Sequence, residues 1–270
     1  MQLGISTASF HSRILTEDAL NYIGKIGAKK AEVFLDTFSE YESSFGDVLL
    51  THLAQTDVQV IAIHAMAQQF EPQLFSIGQR QKQDAWEMFE KVLRQGKNLG
   101  ASHYVMHGPA RLKGALKNAG MRRIGPIVAE AADLALQYGL KLCFENVSWC
   151  MFHTPEFAQS LSENCKSDNL FFTLDIKQAI RSGYDPFAYV SAMGDRLAHV
   201  HLCDFILDAD GNLLGTAMPG KGVFDFHKLA QTLKSNGYKG DAMLEVYSDL
   251  YGELSELKAC YDWLREVMEY

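Results

Sequence analysis

The sequence has no Cys-x-x-Cys pair among its five cysteines, no block of lysine or arginine, and no apolar run near the ~20 residues of a membrane span. Each absence narrows the field. Cys143, Cys150, Cys165, Cys203 and Cys260 are odd in number, and they read as reduced, buried apolar residues of a cytoplasmic protein, not as a disulfide framework. The formal charge is −8, and without a basic block a nucleic-acid duplex is a poor partner. The first residues, MQLGISTASF, lack a basic stretch followed by a long apolar one, so no signal peptide is expected. No membrane association is expected either.

What is present is a chain of 270 residues, 47% hydrophobic and 21% charged, enough for a large core without disulfides. Strand and helix patterns alternate from end to end. Strands are expected at Leu3–Ser6, Ala31–Leu35, Val58–Ile63, His103–Met106, Leu140–Phe144, Leu170–Leu174, Leu197–Val200 and Ala242–Leu244. Helical patterns follow each. The first is capped at Thr16 and stops at Gly27; another spans Arg80–Leu99. Leu112–Tyr138 holds one long helix or two, with Gly120, Gly125 and Pro126 as expected interruptions. The stretch between His201 and Gly222 reads as a long polar loop.

Eight βα units in one unbroken chain predict an α/β protein, a single (β/α)8 TIM barrel over residues 1–270. The alternative is an open doubly wound sheet. The strand ends favour the barrel. Four late strands finish on Glu145, Asp175, His201 and Glu245. An unpaired buried charge costs several kcal/mol, about a whole domain's margin of stability, so something must offset these carboxylates. One divalent ion is the simplest candidate, and an O/N ligand set suits Mn, Mg, Co or Zn. Only a closed barrel brings the C-terminal ends of all its strands to one mouth, where residues far apart in sequence share an ion.

Other strand ends add to the mouth. His64 and His107 hold equivalent positions after the third and fourth strands, which points to contact with substrate or support of the ligands. Glu32 is expected behind the ligands, and His199, two residues before His201, faces the same side but reads as structural. Trp149, Phe10 and Phe70 fall in mouth loops as candidate apolar walls. Pro219-Gly220-Lys221-Gly222 resembles a phosphate-cradling loop without its full spacing, and Lys221 is the candidate to meet a substrate anion.

With these residues in view, the chain resembles the xylose isomerase-like TIM-barrel superfamily, sugar and sugar-phosphate isomerases and epimerases related to endonuclease IV. The resemblance is carried in order by His64, LGASHYVMHG, FEN with Trp149, Asp175, HVHLCD (His199 to Asp204), PGKGVFDF (Pro219 to Phe226) and LEVY (Leu244 to Tyr247). It implies one divalent metal on Glu145, Asp175, His201 and Glu245, with the two glutamates doubling as acid and base. Two departures stand out. Many members carry a histidine three residues after the aspartate, where DIKQ places Gln178, a poor metal ligand that can still hydrogen-bond a substrate hydroxyl. The DNA-repair branch needs an Asp-x-His pair before the Gly-x-Gly loop, and LLGTAMPG has neither residue, so a trinuclear zinc site is not expected.

The resulting expectation is a metal-dependent isomerase or epimerase of a small sugar or sugar phosphate, working by proton transfer through an enediolate. The alternatives are a dehydratase of a keto-cyclitol or sugar acid on the same site, and a non-catalytic sugar binder; a DNA-repair endonuclease ranks last. Pairing of the exposed helices of such barrels makes a homodimer the expected assembly.

Overall fold

A computed structural model describes residues 1–111 and 116–269. Eight parallel strands close into a barrel: β1 (Leu3–Ser6), β2 (Lys30–Leu35), β3 (Gln59–Ala65), β4 (His103–Met106), β5 (Lys141–Glu145), β6 (Leu170–Asp175), β7 (Leu197–Leu202) and β10 (Asp241–Leu244). Each pairs with its sequence neighbour, and β1 closes the ring against β10. The chain is therefore a (β/α)8 barrel. The largely apolar content of these short runs is what strands buried on both faces require.

The helices ring the barrel. They are α1 (Thr16–Ile26), α2 (Ser43–Leu53), α3 (Glu71–Leu74), α4 (Gln79–Asn98), α5 (Leu116–Gln137), α6 (Glu156–Asn164), α7 (Ile176–Arg181), α8 (Pro186–Met193), α9 (Phe226–Ser235) and α10 (Leu254–Met268). In α4, Ala85, Phe89, Val92, Leu93 and Gly96 recur at helical spacing and are buried, while the opposite face carries charge. That stripe lies on β3 and the neighbouring strands and sets the position of the β3 and β4 ends. No helix among the described residues is long and apolar enough to cross a membrane.

Three local expectations are corrected. Thr16 is the first helical residue of α1, not its cap; its hydroxyl lies 3.3 Å from Glu40 Oε1. Gly125 and Pro126 do not interrupt α5, which runs on through Gly120 to Gln137. Gly125 is small because α6 crosses there: a Cβ would stand 2.4 Å from the Asn164 carbonyl oxygen. The start of the helical pattern at Leu112, over residues 112–115, lies outside the described residues.

The third correction concerns the stretch after His201. It is not a loop but a β-hairpin, β8 (Asp204–Leu207) with β9 (Leu213–Ala217), paired antiparallel and inserted between the seventh and eighth barrel strands. Its turn is organised by Asp208, whose Oδ1 accepts the N–H groups of Asp210 and Asn212. The signal was present as apolar FIL and NLL flanking DADG, a turn sequence between two strand-forming runs.

Candidate active site

The mouth of the barrel gathers acidic and imidazole side chains from seven of its strands: Glu32 of β2, His64 of β3, His107 after β4, Glu145 of β5, Asp175 of β6, His201 of β7 and Glu245 after β10. Parallel pairing places Asp175 beside His201, while Glu145, the last residue of β5, pairs with Thr173, two residues before Asp175. Glu245 directly follows β10, whose Met243 pairs with His201. Glu145, Asp175, His201 and Glu245 are all buried.

His201 is the hub. Its Nδ1 lies 3.0 Å from Glu145 Oε1, 3.1 Å from Glu245 Oε2 and 3.9 Å from Asp175 Oδ2. Its Nε2 lies 3.0 Å from Glu32 Oε2. A carboxylate only accepts, so each ring nitrogen faces acceptors: Nε2 faces Glu32, and Nδ1 faces the other three carboxylates. Glu32, fully buried, also accepts from Ser6 Oγ (2.9 Å) and His199 Nε2 (2.8 Å). It fixes the ring of His201 from behind, the arrangement that orients histidine ligands in metal proteins.

Glu145 reaches a second partner. Its Oε2 is 2.7 Å from His107 Nε2, off the line of a good hydrogen bond, and His107 Nε2 is 2.9 Å from His64 Nε2. His64 and His107 therefore touch one another and the Glu145 carboxylate. Trp149 packs edge-on to His107 at 6.0 Å between ring centres and is about a third exposed, a wall at the opening. Phe10 and Phe70 line no wall: both are buried in the core, against Tyr22 and Tyr41.

Opposite charges within the cluster shift one another. Burial opposes ionisation of Glu145, but the imidazoles of His107 and His201 outweigh it and hold its pKa well below the usual carboxylate range. Glu32 and Glu245 are likewise lowered against the opposition of burial, chiefly by His201. Burial also works against the imidazolium of His201, yet Glu245, Glu32 and Glu145 push its pKa well above the ordinary value. Asp175 differs: burial, only partly countered by Lys177, raises its carboxyl to about 6.

Nothing in the sequence marks Lys177 as part of the site. It lies in the first turn of α7, almost fully buried, with Nζ 2.5 Å from Asp175 Oδ2 and 2.5 Å from Glu245 Oε1. The other Asp175 oxygen accepts the Gln178 N–H and caps α7. Asp175 is thus both a helix cap and a member of the cluster. Gln178 turns its side-chain oxygen to Ser148, accepting from both its N–H (3.1 Å) and its hydroxyl (2.8 Å), and so braces the turn that carries Trp149.

Lys221 is exposed on the loop after the hairpin. The N–H groups of Gly220 and Gly222 do not face a phosphate position. Both donate to Asp204 Oδ2, while Phe205 and Phe224 N–H groups donate to Asp204 Oδ1. The chain's own carboxylate fills the nest that an anion would otherwise take.

The donor set fits a divalent cation. In octahedral coordination, ligand atoms about 2.1 Å from one ion stand about 3 Å apart, close to the 3.0 and 3.1 Å spacings around His201 Nδ1. Glu245 Oε2 is buried without a hydrogen-bond partner and lies in that ring. Glu145, Asp175 and His201 form a metal-competent group, and Glu32, His64, His201 and Glu245 form another that overlaps it.

Comparison with known proteins follows the same lines. An uncharacterised protein of Mycobacterium leprae (strain TN) is 24% identical over 270 residues, covering 91% of this chain and 89% of its own. Among solved structures, a D-tagatose 3-epimerase-like protein superposes with a TM-score of 0.76 at 20% identity, covering 98% of this chain and 99% of its own. The zinc-bound IolI protein superposes with a TM-score of 0.80 at 19% identity, covering 98% and 96%. Other matches are named as sugar epimerases, inosose dehydratases and 3-dehydroshikimate dehydratases. The xylose isomerase-like TIM-barrel profile matches residues 20–267, and with a closed eightfold barrel beneath that match the chain belongs to this family.

Proposed function

We propose that this protein is an isomerase or epimerase of a small sugar or sugar phosphate. The observation that carries this reading is the convergence of Glu145 and Glu245, from strands on opposite sides of β7, each with an oxygen within about 3 Å of the same imidazole nitrogen of His201. Two carboxylates flanking one point are what proton removal from one carbon and return to its other face, or to the next carbon, requires.

Glu145, Asp175, His201 and Glu245 would hold one divalent ion, with Glu32 orienting His201. Such an ion supplies Lewis acidity to a carbonyl and the hydroxyl beside it. The rest falls to side chains. One glutamate takes the proton from the carbon next to the carbonyl, and the other gives one back. The charge of an enediolate is met by the imidazole groups of His64 and His107, which also hold substrate hydroxyls. Trp149 covers the apolar edge of the sugar and keeps water from the carbanion. Gln178 meets a hydroxyl through its amide nitrogen while its oxygen braces Ser148. Lys221 reaches a phosphate, if the substrate has one, by its side chain alone.

A second reading keeps the site and changes the outcome. The dehydratase names among the matched relatives support it, and its enediolate is the same. His107, 2.7 Å from Glu145, is then the acid that protonates the departing hydroxyl.

Purified protein with Mn or Mg should incorporate solvent deuterium into a ketose. Glu145→Gln and Glu245→Gln should each slow exchange by about 10²–10⁴-fold, the usual contribution of a positioned acid or base. Exchange at the native rate in both variants would remove the acid–base assignment. Loss of water from the substrate, seen by mass spectrometry, selects the dehydratase.

A further inference from the structure

The ligand carboxylates carry a cation of the chain's own. Lys177 Nζ is held between Asp175 Oδ2 and Glu245 Oε1 at 2.5 Å from each. These are not spare oxygens. Asp175 Oδ1 is committed to the Gln178 N–H, so Oδ2 is the Asp175 oxygen left for a metal, and it is the one that faces His201 Nδ1. Glu245 offers Oε2 to the same point and Oε1 to the lysine.

Burial keeps the ammonium there. Lys177 is 4% exposed, and the ring of Tyr247 lies 5.8 Å from its Nζ. A lysine on the first turn of a surface helix ordinarily extends to water. Here it turns inward, to the carboxylate oxygens that Asp175 at the end of β6 and Glu245 after β10 present on either side of β7.

We propose that Lys177 is a built-in counter-cation that competes with the divalent ion for Asp175 and Glu245, and so sets the metal affinity of this barrel low. The inference rests on the metal reading above. A dication drawn to Asp175 Oδ2 meets a fixed positive charge already on that oxygen. Binding therefore requires the ammonium to swing away or to remain as a repelling neighbour, and both weaken the complex. In return, the metal-free protein keeps its acidic mouth assembled.

The test compares native protein with Lys177→Met after chelator treatment, titrating Mn²⁺ by calorimetry and following thermal unfolding. Lys177→Met should bind Mn²⁺ about tenfold or more tightly. Its metal-free midpoint should fall below the native one and recover at saturating Mn²⁺. Lys177→Gln, a second neutral variant, serves if the methionine does not fold, and Lys177→Arg should titrate like the native protein. Native-like binding with equal or weaker affinity in both neutral variants overturns the competition while leaving the metal reading intact. Absence of binding in native and neutral variants alike overturns both.

Discussion

Replacing Asp204 by asparagine removes one oxygen from the most heavily bonded carboxylate outside the cluster. Asp204 is fully buried and accepts four backbone N–H groups: Phe205 (2.8 Å) and Phe224 (3.0 Å) on Oδ1, Gly220 (3.0 Å) and Gly222 (2.9 Å) on Oδ2. An asparagine satisfies one pair and turns its NH₂ toward the other. Two hydrogen bonds to a charged group are lost, each worth about 1.5–3 kcal/mol, and two donors are left facing a donor. The loss would reach about 3–6 kcal/mol if the loop could not move. Gly220 is exposed, so water can reach part of the loop, and the lower end, about 3 kcal/mol, is the expected value. No smaller shift of the loop restores the bonds, because Gly222 is already in close contact: a Cβ there would stand 2.2 Å from the Phe205 carbonyl oxygen. Urea unfolding at neutral pH measures the loss, and amide exchange at Gly220 and Gly222 should rise with it. A change under about 1 kcal/mol with unaltered exchange would refute the account of Asp204 as the organiser of this loop.

His103 gives the pH dependence. Burial, with His199 and Lys141, pushes its pKa down to about 3 from 6.5. The unfolded chain takes up a proton below pH 6.5 that the folded chain refuses until about pH 3, so this contribution is complete above 6.5 and is lost on acidification. It amounts to about 2 kcal/mol at pH 5 relative to neutral pH. His103→Gln should remove that difference in urea midpoints between pH 7.5 and 5; Asp175, raised to about 6, works in the opposite sense and is common to both proteins. Glu32→Gln weakens the acceptor shared by His199 and His201 and should lower Mn²⁺ affinity by about 10–100-fold, read by titration; unchanged affinity would show that His201 needs no such support. Gln178→Ala removes both bonds to Ser148 and should cost about 1–2 kcal/mol, with faster exchange across 147–150 as the accompanying sign.

The barrel was legible because its evidence is local and repeated. Each short apolar run ended in a polar residue, and strand parity fixed which side chains share a face. Glu145, Asp175, His201 and Glu245 stood out because a carboxylate or imidazole after KLCF, LFFTL or AML has no ordinary surface role. Lys177 did not, since a lysine early in a helix nearly always points to water, and only the three-dimensional closeness of Asp175 and Glu245 turns it inward. Glu71 was hidden for the same reason. It sits in a stretch that reads as loop, yet it is fully buried and accepts from the Tyr104 hydroxyl and the His107 and Gly108 N–H groups, setting the turn from which His107 reaches Glu145. The hairpin is hidden in the sequence because its apolar runs are short beside the surrounding polar residues. In α5, Gly125 has the look of a helix break in sequence, yet the close crossing of α6 is what requires it.

The five cysteines have a practical use. All are buried as free thiols, and burial raises the pKa of each, so none offers a thiolate at neutral pH. The native chain is accordingly a quiet background for thiol labelling. A cysteine introduced at exposed Leu214 on the hairpin would be the preferred target of a maleimide dye, and its emission would report movement of the rim as sugars or metal ions are added.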